Sequence, residues 1–330
     1  MDQHAKKTLS RRLRRYFLYL VLFLTLFLML LFPKTAALGA LEGLLLWSKT
    51  LLPILLPFLI LSGLLITLHM TKPFELLLGP IFTRIFPVRE SACYPLFVGL
   101  LCGMPLGAKT TASLYESGRL SEREAMFLLC FSNQASMMFL ISYVATQEQN
   151  TPHYALLVLL VLYSSALLST TIFILPKKYR GQEKKKLPPD SRSDGTRKTA
   201  QGSIPAFFTA LDSCIPESFA TITKVGGYII LFSMLSAFVR ELPLPEPLRA
   251  LFCGMLEITS GIQKISSCAL PAAQKTALTL GVTAFGGFCG LMQTKSVTSG
   301  TGLSINYYAF VKLMQGLFAY LLTMLILTLI

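Results

Sequence analysis

The sequence predicts an all-α, polytopic integral membrane protein with about seven transmembrane helices and two re-entrant hairpins in an inverted-topology repeat. Three observations carry that expectation. Of 330 residues, 53% are hydrophobic and 14% charged, where an ordinary soluble domain carries about a quarter charged residues. The apolar residues fall in long blocks, near the ~20 that a helix needs to cross the hydrocarbon core. The net charge of +14 is also localised, with +5 from residues 1–15 and +6 from residues 176–200.

The blocks that qualify as spans are 16–32, 51–70, 124–146, 153–175, 219–239, 276–293 and 306–330. The first follows a basic stretch, as a signal peptide would. Tyr16 to Phe32 is long for an h-region, and Ala37, Gly39 and Ala40 make a weak cleavage site, so a retained anchor helix is expected. Blocks 91–112 and 248–268 are long enough but interrupted. The former contains Gly103, Met104, Pro105, Leu106 and Gly107, where proline removes a backbone donor and glycine weakens a helix. The latter carries Glu257, Thr259, Ser260, Gly261 and Gln263 near its middle.

Loop charge sets the direction of each crossing. With the basic amino terminus in the cytoplasm, two spans return the chain inside at 71–90. The basic loop 177–205 also belongs inside, and the stretch 147–151, without Lys or Arg, outside. Counting back from that loop leaves 113–123 inside as well. Block 91–112 therefore enters and leaves on one side, as a hairpin bent near Gly103 to Gly107. Broken backbone at membrane depth needs protein or a water-filled cavity around it, so a sheltered polar site is expected there.

The second half repeats the first. Phe97 to Leu101 matches Phe252 to Leu256, and Lys109 falls opposite Lys264 at the same spacing. The polar break Ser132 to Ser136 falls opposite Val282 to Gly286. An odd number of crossings per half inverts the second copy, the architecture of many secondary transporters. The expected units are a basic terminus and anchor helix (1–40), a first membrane repeat (41–176), a basic cytoplasmic linker (177–205) and a second membrane repeat (206–330). The linker, with Lys184 to Lys186 and two prolines, suits a flexible tether against an anionic leaflet.

Several chemistries are excluded. The seven cysteines are scattered without a C-x-x-C pair, which gives neither a disulfide framework nor a metal site. Gly103 to Thr110 resembles a phosphate loop, but its spacing and apolar context are wrong. The basic residues flank apolar blocks instead of covering a face with stacking aromatics, so no nucleic-acid partner is expected. No H-E-x-x-H or G-x-S-x-G occurs, and Asp2, Asp190, Asp194 and Asp212 all lie outside the expected spans. No enzyme and no cofactor are expected.

The candidate site is polar and central. Ser132, Asn133, Gln134 and Ser136 lie in the middle of an expected span, where polar side chains are costly unless they face a partner or a cavity. They suit recognition of an uncharged polar solute, or equally hydrogen bonding between helices. Gly103, Pro105, Gly107 and Lys109 of the first hairpin join them, and Glu257, Gln263 and Lys264 of the second. Gln293, Thr294 and Ser296 open a Gly-rich polar stretch readable as a loop or as an unwound segment lining the solute path. Glu257 is expected to bind a proton or cation, or to pair with Lys264. Lys109 and Lys264 equally suit snorkelling to the interface, and His69 and His153 sit at span ends.

The run Gly103 to Gly118, Leu120 to Ala125 and Phe131 to Ser136 resembles the sporulation integral membrane proteins of the YlbJ type. Phe285 to Gln293, Ser299 to Leu303 and Leu313 to Gly316 resemble them too. That family carries the nucleoside-recognition, or Gate, domain, which is similar to part of concentrative nucleoside transporters and of the ferrous iron transporter. Its members often have a second Asn where Gln134 stands. The resemblance implies an endospore-forming bacterium and a role in spore formation, with solute movement a further expectation. Two functions follow: a transporter-like protein acting on a small polar, nucleoside-like solute between inverted halves, or a non-transporting scaffold working through its linker. The expected partners are the lipid bilayer, a small polar solute, a coupling ion and further copies of the chain. The expected location is the cell membrane, multi-pass, with the amino terminus cytoplasmic.

Overall fold

A chain in lipid must satisfy its backbone amides internally, and every regular element in the described residues is helical. The computed structural model describes residues 3–68, 70–86, 88–145, 152–176 and 204–329. His69, the 147–151 stretch and nearly all of the 177–205 linker lie outside the described residues, as does the His153 side chain.

In chain order the helices are α1 (Gln3–Leu31), α2 (Pro33–Leu45), α3 (Leu52–Thr67), α4 (Lys72–Ile85), α5 (Cys93–Cys102), α6 (Leu106–Glu116), α7 (Glu122–Phe131) and α8 (Met137–Phe139). There follow α9 (Pro152–Phe173), α10 (Ile204–Arg240), α11 (Glu246–Leu256), α12 (Ile258–Ser267), α13 (Ala272–Phe285), α14 (Gly287–Val297) and α15 (Ile305–Leu329). A π-helical turn, Leu46–Leu51, joins α2 to α3, and another, Leu140–Val144, extends α8.

The expected span 51–70 is the second part of a longer helix. From residue 33 to 67 no non-helical residue intervenes, and this helix runs antiparallel along α10. Gly39 faces Met234 and Ala237, Gly43 faces Ile229 and Ile230, Trp47 covers Gly226, and Gly63 faces Cys214. Two glycines one turn apart let the backbones approach closely. Lys34, Glu42 and Lys49 lower the local hydropathy and hid this segment in the sequence, yet Glu42 is paired with Arg240 at 2.7 Å. The span 219–239 likewise begins earlier, at Ile204, which places exposed Asp212 on α10 instead of in a loop.

Four helices, 154–173, 204–240, 272–297 and 305–329, are individually long and apolar enough to cross, and two bent pairs raise the total to at most six. The count of about seven is therefore not reached among the described residues. The expected first span is helical, but the chain turns by 108° between α1 and α2, and its apolar side chains from Tyr16 to Phe32 are largely exposed. Helix α4 is amphipathic: Leu76, Leu77, Ile81 and Ile85 are exposed, Phe74 and Phe82 pack on the core, and a Glu75–Arg119 ion pair ties it to the hairpin base.

Side-chain contacts settle which helix ends share a face. Arg123 donates to the Leu175 carbonyl at 2.8 Å, and the Tyr307 hydroxyl donates to the Phe173 carbonyl. The starts of α7 and α15 thus lie beside the end of α9, on what we call the first face. On the second face Tyr154 meets Thr276 at 3.2 Å, and Lys275 donates to the Ser266 carbonyl at 2.9 Å.

The α5–α6 unit starts and ends on the first face, where the Ser91 hydroxyl donates to the Arg119 carbonyl at 2.9 Å. With 10 and 11 residues, its legs are ~15 Å long, about half the hydrocarbon thickness. The interrupted block is a hairpin, and α11–α12 forms a second one based on the second face. Each half thus runs through a long helix, a hairpin, a helix broken at mid-length and a closing helix.

Candidate functional site

Each hairpin closes on a pair of glycines at matching places. A Cβ on Gly107 would lie 2.8 Å from the Gly99 Cα, and one on Gly261 would lie 2.0 Å from the Gly254 Cα. Each tip then meets a break in the following helix. Gly103, at φ +67, leaves room for the Gln134 carbonyl, 2.5 Å from where its Cβ would stand, and the Met104 amide donates to that carbonyl at 2.7 Å. In the second half Gly287, at φ +69, lies under the Leu256 carbonyl. The Met104 side chain reaches further and packs on Gly286 and Gly290. The first hairpin therefore touches the breaks of both halves.

A buried polar cluster surrounds that meeting point. The chain leaves α7 at Ser132, so Asn133 and Gln134 sit in non-helical backbone inside the protein. The Asn133 amide nitrogen donates to Thr294 Oγ1 and to the Tyr308 hydroxyl, both at 2.9 Å. Its carbonyl oxygen accepts the Ala108 amide at 3.2 Å, at the start of α6. The Gln134 nitrogen donates to Gln315 Oε1 at 3.0 Å, and its oxygen accepts Lys312 Nζ at 2.6 Å. Gln315 in turn donates to the Cys130 carbonyl. Asn133, Thr294, Lys312 and Gln315 are each 0% exposed.

The other predicted residues divide. Pro105, after a cis peptide bond, starts α6. Ser132 donates to the Leu128 carbonyl beneath Gly99, and Ser136 caps α8 by accepting the Phe139 amide. Glu257 does not pair with Lys264: its carboxylate accepts the Thr259 and Ser260 amides at 2.9 and 2.8 Å and the Ser260 hydroxyl at 2.8 Å. It caps α12, as Asn133 does for α6. Gln263 and Lys264 are exposed. Gln293 bonds to Cys289 within α14, and Ser296 is half-buried without a bond to the cluster. Lys109 forms an ion pair with Glu217 of α10.

That ion pair lies in a crevice between α3, α6 and α10, lined also by Ser62, Thr67, Thr110, Ser113, Cys214 and Ser218. Its volume of about 70 Å³ admits a few waters, where drug-sized ligands occupy ~300–1,000 Å³. The arrangement is a closed one. Among the described residues no three His, Cys, Asp or Glu side chains gather as metal ligands, and all seven cysteines are free and buried.

Tyr308, Lys312 and Gln315 were absent from the sequence expectation. They stand one and two turns apart on a single face of α15, inside a block scored by its average hydropathy. A lysine within the apolar block was the available signal, since such charges are rare in membranes.

Residues 48–175 match the Gate family, described as nucleoside recognition. The Gate match thus spans α3 to the end of α9, including the first hairpin and the Asn133–Gln134 break. The chain is also similar to the sporulation integral membrane protein YlbJ of Bacillus subtilis (strain 168). The two are homologous, 27% identical over 324 residues covering 89% of this chain and 78% of the relative. No solved structure matches significantly.

Proposed function

We propose that this integral membrane protein, carrying a Gate nucleoside-recognition match, serves sporulation by binding or moving a small polar, nucleoside-like solute between its two halves. The observation that carries the reading is the Asn133–Gln134 break. It holds side-chain amides at mid-span and bonds them to Thr294, Tyr308 and Gln315 of the other half. Two hairpins whose tips meet helix breaks support it, since discontinuous helices at a repeat interface are where secondary transporters place their sites. In this reading 41–176 and 206–330 are inverted Gate-like repeats, with the amino terminus and the 177–205 linker cytoplasmic. Each half would swing against the other, opening the α3–α6–α10 crevice to one face. The function is non-enzymatic.

Proteoliposomes containing the full chain test it. Saturable uptake of a nucleoside or nucleobase, reduced by Asn133→Ala, is expected; no saturable uptake across such a panel overturns transport. The closed cluster, with both Asn133 donors already taken, favours a second reading in which the protein is a scaffold acting through its linker. Deleting residues 183–198 separates the two. Loss of sporulation in cells with the Asn133 cluster intact supports the scaffold, and indifference supports transport.

A further inference from the structure

Lys312 is the most costly residue in the cluster and the one with fewest partners. It is 0% exposed and has one hydrogen bond among the described residues, to the neutral Gln134 amide oxygen. It is the only Asp, Glu, Lys or Arg in α15. The helices packed most closely on α15 are α7, α9, α13 and α14. Of these, α9, α13 and α14 contain no acid, and the acids of α7 stand in its first turn. The titratable groups facing Lys312 are the Cys130 thiol of α7 and Tyr308 on its own helix. At the α13–α14 break, a Cβ on Gly286 would lie 3.8 Å from the Lys312 Cε.

An ammonium buried without a carboxylate is destabilised by several kcal/mol on general grounds, whereas an uncharged amine hydrogen-bonded to an amide is compatible with such a place. Lysine, unlike arginine, can exist in both states when buried. We propose that Lys312 is the proton-coupling group of this protein, a latch between Gln134 of one half and α15 of the other. As an amine it holds the closed cluster. On accepting one proton from the face to which the crevice opens, it becomes an ammonium that gains from water, and the Asn133–Gln134 break separates from α15. Returning that proton to solvent restores the closed state.

The geometry connects the latch to a reporter. Met104 is bonded through its amide to the Gln134 carbonyl, and the same hairpin continues into α6, one wall of the crevice that Cys214 lines. Displacing the break therefore moves α6 relative to α10 and uncovers Cys214, which is 4% exposed in the closed arrangement. The inference rests on the transport reading for its purpose, but its readout needs no solute.

The test measures labelling of Cys214 by a membrane-impermeant thiol reagent, read by peptide mass spectrometry, in the full chain in nanodiscs across pH 5 to 9. Wild type is compared at each pH with Lys312→Met, fixed uncharged, and Lys312→Arg, fixed charged. All three share the Cys214 thiol and the neighbouring Lys109–Glu217 pair, so the comparison at each pH isolates residue 312. With the open state a minor population of 0.1–10%, about a tenfold rise is available. We expect Lys312→Arg to label about tenfold faster than Lys312→Met at every pH, with wild type moving from the former towards the latter as pH rises. Gln134→Met, which keeps the lysine and removes its acceptor, should lose the slowly labelled state, and it replaces Lys312→Arg if that variant does not fold. Variants that track wild type at every pH overturn the latch. Solute uptake with labelling independent of Lys312 keeps transport and removes the latch; the titration without uptake of any solute does the reverse.

Discussion

Gly261 stands so close to Gly254 that a Cβ added to it would lie 2.0 Å from the Gly254 Cα. Hydrogen at Gly261 lets the legs of the second hairpin meet, whereas a Cβ on Gly254 would run into Val282. The contact is backbone on backbone, so no side-chain rotation relieves it. Gly261→Ala should destabilise the protein by ~3 kcal/mol or more, the upper end for overpacked sites, seen as a lower Tm in detergent. Gly227→Ala on α10 is the control. Nothing lies within 4 Å of its added Cβ, and replacing a helical glycine there should be neutral or stabilise by about 0.5–1 kcal/mol. Equal effects at the two sites would refute the close contact.

Asn133 uses both of its N–H donors, to Thr294 and Tyr308, and accepts the Ala108 amide on its oxygen. Asn133→Ala leaves those groups buried without it and should cost about 1–3 kcal/mol. A double-mutant cycle with Tyr308→Phe should return a coupling of ~0.5–3 kcal/mol, as for residues in one network. Strict additivity would show that the two halves are not joined through this amide.

The chain contains one tryptophan, and it marks the contact between the two long helices. Trp47 Nε1 donates to the Ile222 carbonyl at 2.9 Å, and its ring lies 2.6 Å from where a Gly226 Cβ would be. Gly226→Leu should expel the indole, red-shift its emission and lower Tm. An unchanged spectrum would mean that the π-helical turn after α2 does not rest on α10 in the membrane.

Opposed faces give a labelling prediction. Single cysteines placed at Ser117 and Gly300, where an added Gly300 Cβ would lie 4.0 Å from a Glu116 oxygen, should react with an impermeant reagent from the same side of sealed vesicles. Cysteines placed at Glu241 and Ala269, beside the base of the second hairpin, should react from the opposite side. Labelling of all four from one side would abolish the inverted arrangement.

The hairpin at 91–112 was legible because loop charge left no parity for a crossing, and Gly103 and Pro105 marked its bend. The break at Asn133 was legible because polar groups in mid-span are costly. The helical stretch 33–50 was not, since its Lys and Glu residues lowered the average while Gly39 and Gly43 carried the actual contact. The alternative that pairs Glu257 with Lys264 is not realised, for a similar reason. Sequence spacing brings them within reach, but a capping carboxylate is oriented by the backbone amides of its own helix.

The sequence by itself determined that this chain is an all-helical membrane protein and marked the breaks near Gly103 and Asn133, because hydropathy, proline, glycine and loop charge act locally and can be read in order; the break at Gly286 was not marked. Only the tertiary structure decided what those breaks face. Lys312 and Gln134 are 178 residues apart, and no local periodicity encodes their meeting. It follows from how the break after α7 packs on α15, which leaves one buried lysine side chain bonded to a neutral amide.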